Sequence, residues 1–218
     1  MSWYGDTIGQ VAEDRFMLDK AGTEVTVRVR LLEADEDYSE EKVQVDLFID
    51  GKKLKPIQFT VTGIMSIDVA DADFDGYTDI LIARDSGGSG GRGYDLYVYD
   101  PAAQQFVNAD LWLWNTSFYP ERKVLVNETR MGATGVYCTY ELFQWQKGSL
   151  VRIADITAEA YPTLWSDSYT EWLVSCTNQN GRMGKKIPMN LWNLSNSERK
   201  PYLRFLDGLR KRLRSAIR

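Results

Sequence analysis

Between residues 24 and 155 apolar and polar side chains alternate with a period of two, in short runs separated by turn-forming residues. This pattern marks half-buried strands. In the first run Val25, Val27 and Val29 share one face, and Thr26, Arg28 and Arg30 share the other. Val43, Val45, Leu47 and Ile49 repeat the pattern, Asp50-Gly51 marks a hairpin turn, and Ile57, Phe59 and Val61 alternate within the next run, residues 52–62. Further strands are predicted at residues 79–84, 94–99, 123–127, 135–145 and 150–156. The acidic stretch 33–41 and the glycine-rich stretch 86–93 read as loops. Strand pairs at short spacing predict an all-β fold, an antiparallel meander closer to a propeller, barrel or sandwich than to a doubly wound α/β fold.

After Tyr161 the alternation fades, and residues 161–199 read as mixed loops and short elements. Tyr202, Phe205, Leu206, Leu209, Leu213 and Ile217 then fall at helical spacing, which predicts a C-terminal amphipathic helix. Pro201 suits a first turn, so the helix is expected to start near Lys200, with Ser195, Ser197 and Glu198 capping a short preceding turn. The chain thus divides into a β-rich domain, residues 1–160, and an extension, residues 161–218, packed on it.

Composition narrows the chemistry. Among 218 residues there is no histidine, which removes Ser-His-Asp and Cys-His nucleophiles and His-ligated zinc. A metal would be held mainly by oxygen. The net charge of −5 argues against a dedicated nucleic-acid binder, although residues 198–218 carry eight Lys or Arg against two acids. Cys138 and Cys176 are too few for a zinc site or a disulfide framework; one disulfide or two buried thiols are both open. No apolar run is long enough to span a membrane. The opening residues lack a secretory pattern, so the chain is expected in the cytoplasm unless a leader was trimmed, in which case it is periplasmic or extracellular.

The sharpest motif is Asp71-Ala72-Asp73-Phe74-Asp75-Gly76-Tyr77-Thr78-Asp79. Carboxylates at loop positions one, three, five and nine, with glycine at six, have the spacing of an oxygen cage for Ca2+. Asp71, Asp73, Asp75 and Asp79 would ligate through side chains and Tyr77 through its carbonyl. The twelfth position is Ile82 where an EF-hand needs glutamate, and both flanks are strand-like. The motif is a calcium loop between strands, with a solvated acidic turn as the alternative.

Residues 71–82 resemble the calcium-binding turn of FG-GAP-type β-propeller repeats. More narrowly, residues 69–106 resemble a bacterial group in which that turn is followed by a glycine-rich loop (Ser86-Gly87-Gly88-Ser89-Gly90-Gly91), an aromatic strand (Tyr94-Asp95-Leu96-Tyr97-Val98-Tyr99), then Asp100-Pro101 and Phe106. The group includes periplasmic inhibitors of lysozyme-type effectors and immunity proteins. The resemblance implies a propeller-like fold, one bound Ca2+ and a protein partner, a cell-wall lytic enzyme.

The segment Gly87, Gly88, Ser89, Gly90, Gly91 and Arg92 is the candidate contact loop, exposed and adaptable enough to enter a partner's cleft. It lacks the Gly-Lys-Ser/Thr of a phosphate loop. Trp112 and Trp114 alternate with Leu111 and Leu113, so one pair is expected in the core and the other outside. Exposed aromatics leave open an extracellular adhesion or glycan-binding module. A two-carboxylate glycosidase has no signature beyond the metal-spaced aspartates, so no catalytic residue is predicted and an enzyme is not expected. The basic helix could dock on anionic lipid or nucleic acid, or be merely solvated.

Overall fold

The computed structural model describes residues 2–3, 8–34, 40–61, 65–86, 91–131, 137–146, 148–163, 166–178, 181–188 and 194–216. The chain forms two compact units, Met1–Asn115 and Thr116–Arg218. The first holds β1 (Ser2–Trp3), β2 (Val11–Met17), β3 (Glu24–Ala34), β4 (Glu41–Ile49), β5 (Lys52–Lys53), β6 (Ile57–Val61), β7 (Met65–Ala70), β8 (Asp79–Ser86), β9 (Arg92–Asp100) and β10 (Gln105–Trp114). The second holds β11 (Ser117–Tyr119), β12 (Val124–Met131), β13 (Tyr137–Gln146), β14 (Ser149–Thr163), β15 (Ser166–Asn178), β16 (Gly181–Pro188) and the helix α1 (Asn196–Ala216).

In the first unit β1-β7-β8-β9-β10 form one antiparallel sheet and β2-β3-β4-β5 another, with β6 also paired to β4. The alternation explains how they join. Val25, Val27, Val29 and Leu31 on β3 and Val43, Val45 and Leu47 on β4 are buried in one core with Met65, Ile67, Ile80 and Ile82 of β7 and β8. The opposite face of the second sheet is polar and paired: Arg28 Nε lies 2.7 Å from Glu13, its guanidinium 4.8 Å from the Phe48 ring, and Lys53 Nζ 3.0 Å from the buried Asp46. The run 52–62 is two strands rather than one, because Leu54, Lys55 and Pro56 interrupt it; both pieces pair with β4.

The second unit is an antiparallel meander in the order β11-β12-β13-β14-β15-β16, with α1 against β14 and β15. The described part of residues 161–199, read from sequence as mixed loops and short elements, completes β14 and forms the long β15, β16 and the start of α1. Among the described residues none of the three sheets closes into a barrel. The fold is mostly β and antiparallel, with one C-terminal helix.

Two further expectations change. Helix α1 starts at Asn196, a full turn before Lys200, because Ser195 and Glu198 form a capping box: the Ser195 N–H donates to Glu198 at 3.0 Å and the Glu198 N–H to Ser195 Oγ at 3.4 Å. Pro201 therefore sits inside the helix, where it removes one backbone bond. Cys138 and Cys176 are both free thiols. Cys138 pairs with Ala158, and Cys176 with Ile156, so β14 lies between their strands. Two strand spacings separate them by about 9 to 10 Å, beyond the reach of a disulfide.

Candidate metal centre

Residues 71–78 link β7 to β8, neighbouring antiparallel strands that fix both ends of the loop. Inside it the chain winds around its own carboxylates. Asp71 accepts N–H bonds from Asp75 at 3.0 Å and Gly76 at 3.1 Å, Asp73 accepts from Asp75 at 3.1 Å, and Asp75 accepts from Tyr77 at 2.8 Å. The winding needs left-handed backbone at Phe74 (φ 63°) and Gly76 (φ 98°), and at the latter any side chain is strained.

Asp79, the first residue of β8, is 0% exposed. Its Oδ2 accepts from the N–H groups of Ala72 (2.8 Å) and Asp73 (3.3 Å), and its Oδ1 from Tyr99 on β9 (2.9 Å). One carboxylate thus ties the loop to two strands. Thr78 ties it to the turn after β2, donating from N–H to Leu18 O at 2.7 Å and from Oγ1 to Met17 O at 2.8 Å. Beneath lies an aromatic floor, with ring centroids 5.4 Å apart for Tyr77 and Tyr99, 5.2 Å for Tyr99 and Phe106, and 6.4 Å for Phe106 and Phe16.

Asp71, Asp73 and Asp79 each place one carboxylate oxygen within 4.8 Å of the other two. Oxygens around one Ca2+ at about 2.3 to 2.6 Å stand this close to one another. The electrostatics point the same way. Burial, with the neighbouring Asp75 charge second, pushes the Asp73 carboxyl up to about 6. Burial pushes Asp79 up to about 7 against the opposing pull of its N–H donors. Concentrated negative charge in a half-buried loop is what a divalent cation relieves, and an all-oxygen donor set suits a hard one. The residues present fit the group.

Three of the five sequence-predicted ligand residues therefore converge. Asp75 is exposed, with its Oδ1 engaged by the Tyr77 N–H, and Tyr77 is half-buried with its ring on Tyr99.

Of the candidate contact loop, Gly87, Gly88, Ser89 and Gly90 lie outside the described residues. Gly91 and Arg92 lie within it. A Cβ on Gly91 would stand 2.8 Å from the Trp114 indole, and one on Gly93 would stand 2.0 Å from Trp112. At these glycines the two indoles of β10 lie against the start of β9 and the residue before it. Arg92 is exposed; its N–H donates to Asn115 Oδ1 at 2.9 Å and its Nη1 to Ser66 Oγ at 3.2 Å. Leu113 is buried and Trp112 is 43% exposed, with the Arg84 guanidinium 5.6 Å from its ring and paired to Asp95 (Nη2 to Oδ1, 3.0 Å). Sequence reading missed this Arg84-Asp95-Trp112 group, whose members come from three strands.

No known protein family matches the chain, and no curated protein matches it. The solved structure of a Xanthomonas type IV secretion system related protein superposes with a TM-score of 0.49 and 16% sequence identity, covering 82% of this chain and 99% of that one.

Proposed function

We propose that this is a calcium-binding protein that binds and inhibits a peptidoglycan hydrolase. The observation that carries the reading is the convergence of Asp71, Asp73 and Asp79 in the loop on which the resemblance to lysozyme-type inhibitors rests. In this reading Asp71, Asp73 and Asp79 hold Ca2+, Asp75 and the Tyr77 carbonyl complete the shell, and the ion fixes the turn without entering any chemistry. Within the five-stranded sheet, the antiparallel meander β7-β8-β9-β10 has the strand order of a four-stranded propeller blade, with β1 added at the β7 edge, which supports the propeller-like part of the resemblance. The chain acts by occupying a partner, not by catalysis. The contact loop is the stretch that includes Gly91 and Arg92, beside the calcium turn in sequence.

The test is a calorimetric Ca2+ titration of metal-stripped protein, followed by a turbidity assay of cell-wall lysis by a lysozyme-type hydrolase. One ion per chain, abolished in Asp73→Asn, together with calcium-dependent slowing of lysis is the expected outcome. No ion uptake at millimolar calcium, the weak end of extracellular sites, sinks the reading. The exposed Trp112 favours a second reading, a glycan-binding adhesion module. Binding of peptidoglycan fragments with no effect on the hydrolase would select it.

A further inference from the structure

Charge is divided unevenly between the two units. The first contains ten Lys or Arg against twenty-two Asp or Glu, a net −12, and the second sixteen against nine, a net +7. Part of that surplus stands on α1, and the helix sorts it by face. Leu209 is buried, while Tyr202, Phe205 and Leu206 are half-buried on the same side. The Met183 methyl lies 3.7 Å from where a Gly208 Cβ would be. Two cations from opposite partners clamp the helix to β16. Lys185 Nζ donates to Pro201 O at 3.3 Å and lies 4.9 Å from the Tyr202 ring centre, and Arg212 Nη1 donates to Gly181 O at 3.0 Å. The apolar face of α1 is therefore already in use.

At about 100° per residue, Lys200, Arg204 and Lys211 fall within about 40° of one another and nearly opposite Leu209. All three are exposed, and none makes an ion pair among the described residues. They form a line about 16 Å long at 1.5 Å per residue. Asp207 is the acid on the same crest and is also exposed.

We propose that this crest of Lys200, Arg204 and Lys211 is a peripheral docking surface for an anionic phospholipid bilayer. Charge complementarity names the chemistry, phosphate headgroups, and the shape of the crest names the source. A bilayer asks only that cations share one height above a plane, which a helix lying on its sheet provides. A nucleic acid asks for cations that converge on a groove, or for aromatic rings that stack on bases, and the aromatic residues of this stretch, Tyr202 and Phe205, are half-buried on the opposite side of the helix. Leu209 is buried and the crest itself carries no apolar side chain, so attachment through it is electrostatic and salt-labile.

The experiment is cosedimentation of the full chain with phosphatidylcholine vesicles, with and without about one-third phosphatidylglycerol, at about 0.1 M salt. Partition onto the anionic vesicles alone, lost at high salt, is the expected result. Each cation near such a surface contributes about fivefold, so K200Q/R204Q/K211Q should bind roughly a hundredfold more weakly, and Asp207→Asn about fivefold more tightly. The replaced side chains are exposed, so melting of both variants should match the parent. Equal partition of parent and triple variant, binding to neutral vesicles, or tighter binding of a mixed-sequence duplex oligonucleotide would overturn the proposal. No calcium or hydrolase is present, so failure here is separate from failure of the inhibitor reading.

Discussion

Asp79 does two things that a sequence pattern shows as one. Its spacing marks it as a cation ligand, while the structure adds that both oxygens accept backbone N–H groups, one of them from Tyr99 on β9. That bond joins residues twenty positions apart, beyond any local pattern. Asparagine at this position keeps the shape but has a single acceptor oxygen, so its NH2 must face an N–H donor in either orientation. Asp79→Asn should therefore lower stability by about 2 kcal/mol in metal-free protein, measured by urea unfolding. An unchanged midpoint would mean that the carboxylate serves only the ion. Gly93 makes a second argument at this scale. A Cβ there stands 2.0 Å from the Trp112 indole, so Gly93→Ala must drive the ring off β9 and away from Arg84. The single change should cost about 1 to 3 kcal/mol, whereas in a Trp112→Ala background most of that cost should vanish. Additive costs in the double-mutant cycle would show that the glycine is needed for its backbone alone.

The elements that were legible are those in which one face is wholly apolar. Val25, Val27 and Val29 are all buried, and β3 declared itself through them. β15 did not, because Ser175 and Cys176, adjacent and therefore on opposite faces, are both buried, so burial does not alternate there and leaves no period-two pattern of polarity. Among the described residues β16 pairs only with β15, and its polar residues alternate between its two faces, with Lys185 toward α1. The start of α1 was misplaced for a different reason: proline is favoured in a first turn, but here the capping box decides. That cap carries a pH dependence. Hydrogen bonds from Ser195 hold the Glu198 carboxyl below its ordinary value of 4.5. A lowered carboxyl contributes stability that is complete above the unfolded value and lost as pH falls through the folded one. Amide exchange in the first turn of α1 should therefore quicken as pH falls through that lowered value, after correction for intrinsic rates. Glu198→Gln keeps an acceptor without a titrating proton and should remove that step. The same step in the variant would place its origin elsewhere.

At the scale of the whole molecule, the change in sequence character at Tyr161 falls inside β14, while the two compact units meet between Asn115 and Thr116. Alternation runs through strands on both sides of that point, so a change of sheet leaves no compositional mark. The division matters for calcium. The described groups that shape the loop belong to the first unit: the carboxylates of residues 71–79, the Tyr99 amide, the Leu18 and Met17 carbonyls, and the floor of Tyr77, Tyr99, Phe106 and Phe16. An ion that binds only the folded loop adds about 2.7 kcal/mol at a hundredfold excess over its dissociation constant. That stabilisation should appear as slower hydrogen exchange in the loop, β8 and β9, with β12 to β16 unchanged. The reason is that the added free energy raises only those openings that release the ion. Slowing spread evenly over both units would mean that the chain opens as one cooperative body and that the loop controls all of it. No slowing anywhere would leave the aspartates as a turn that caps its own backbone.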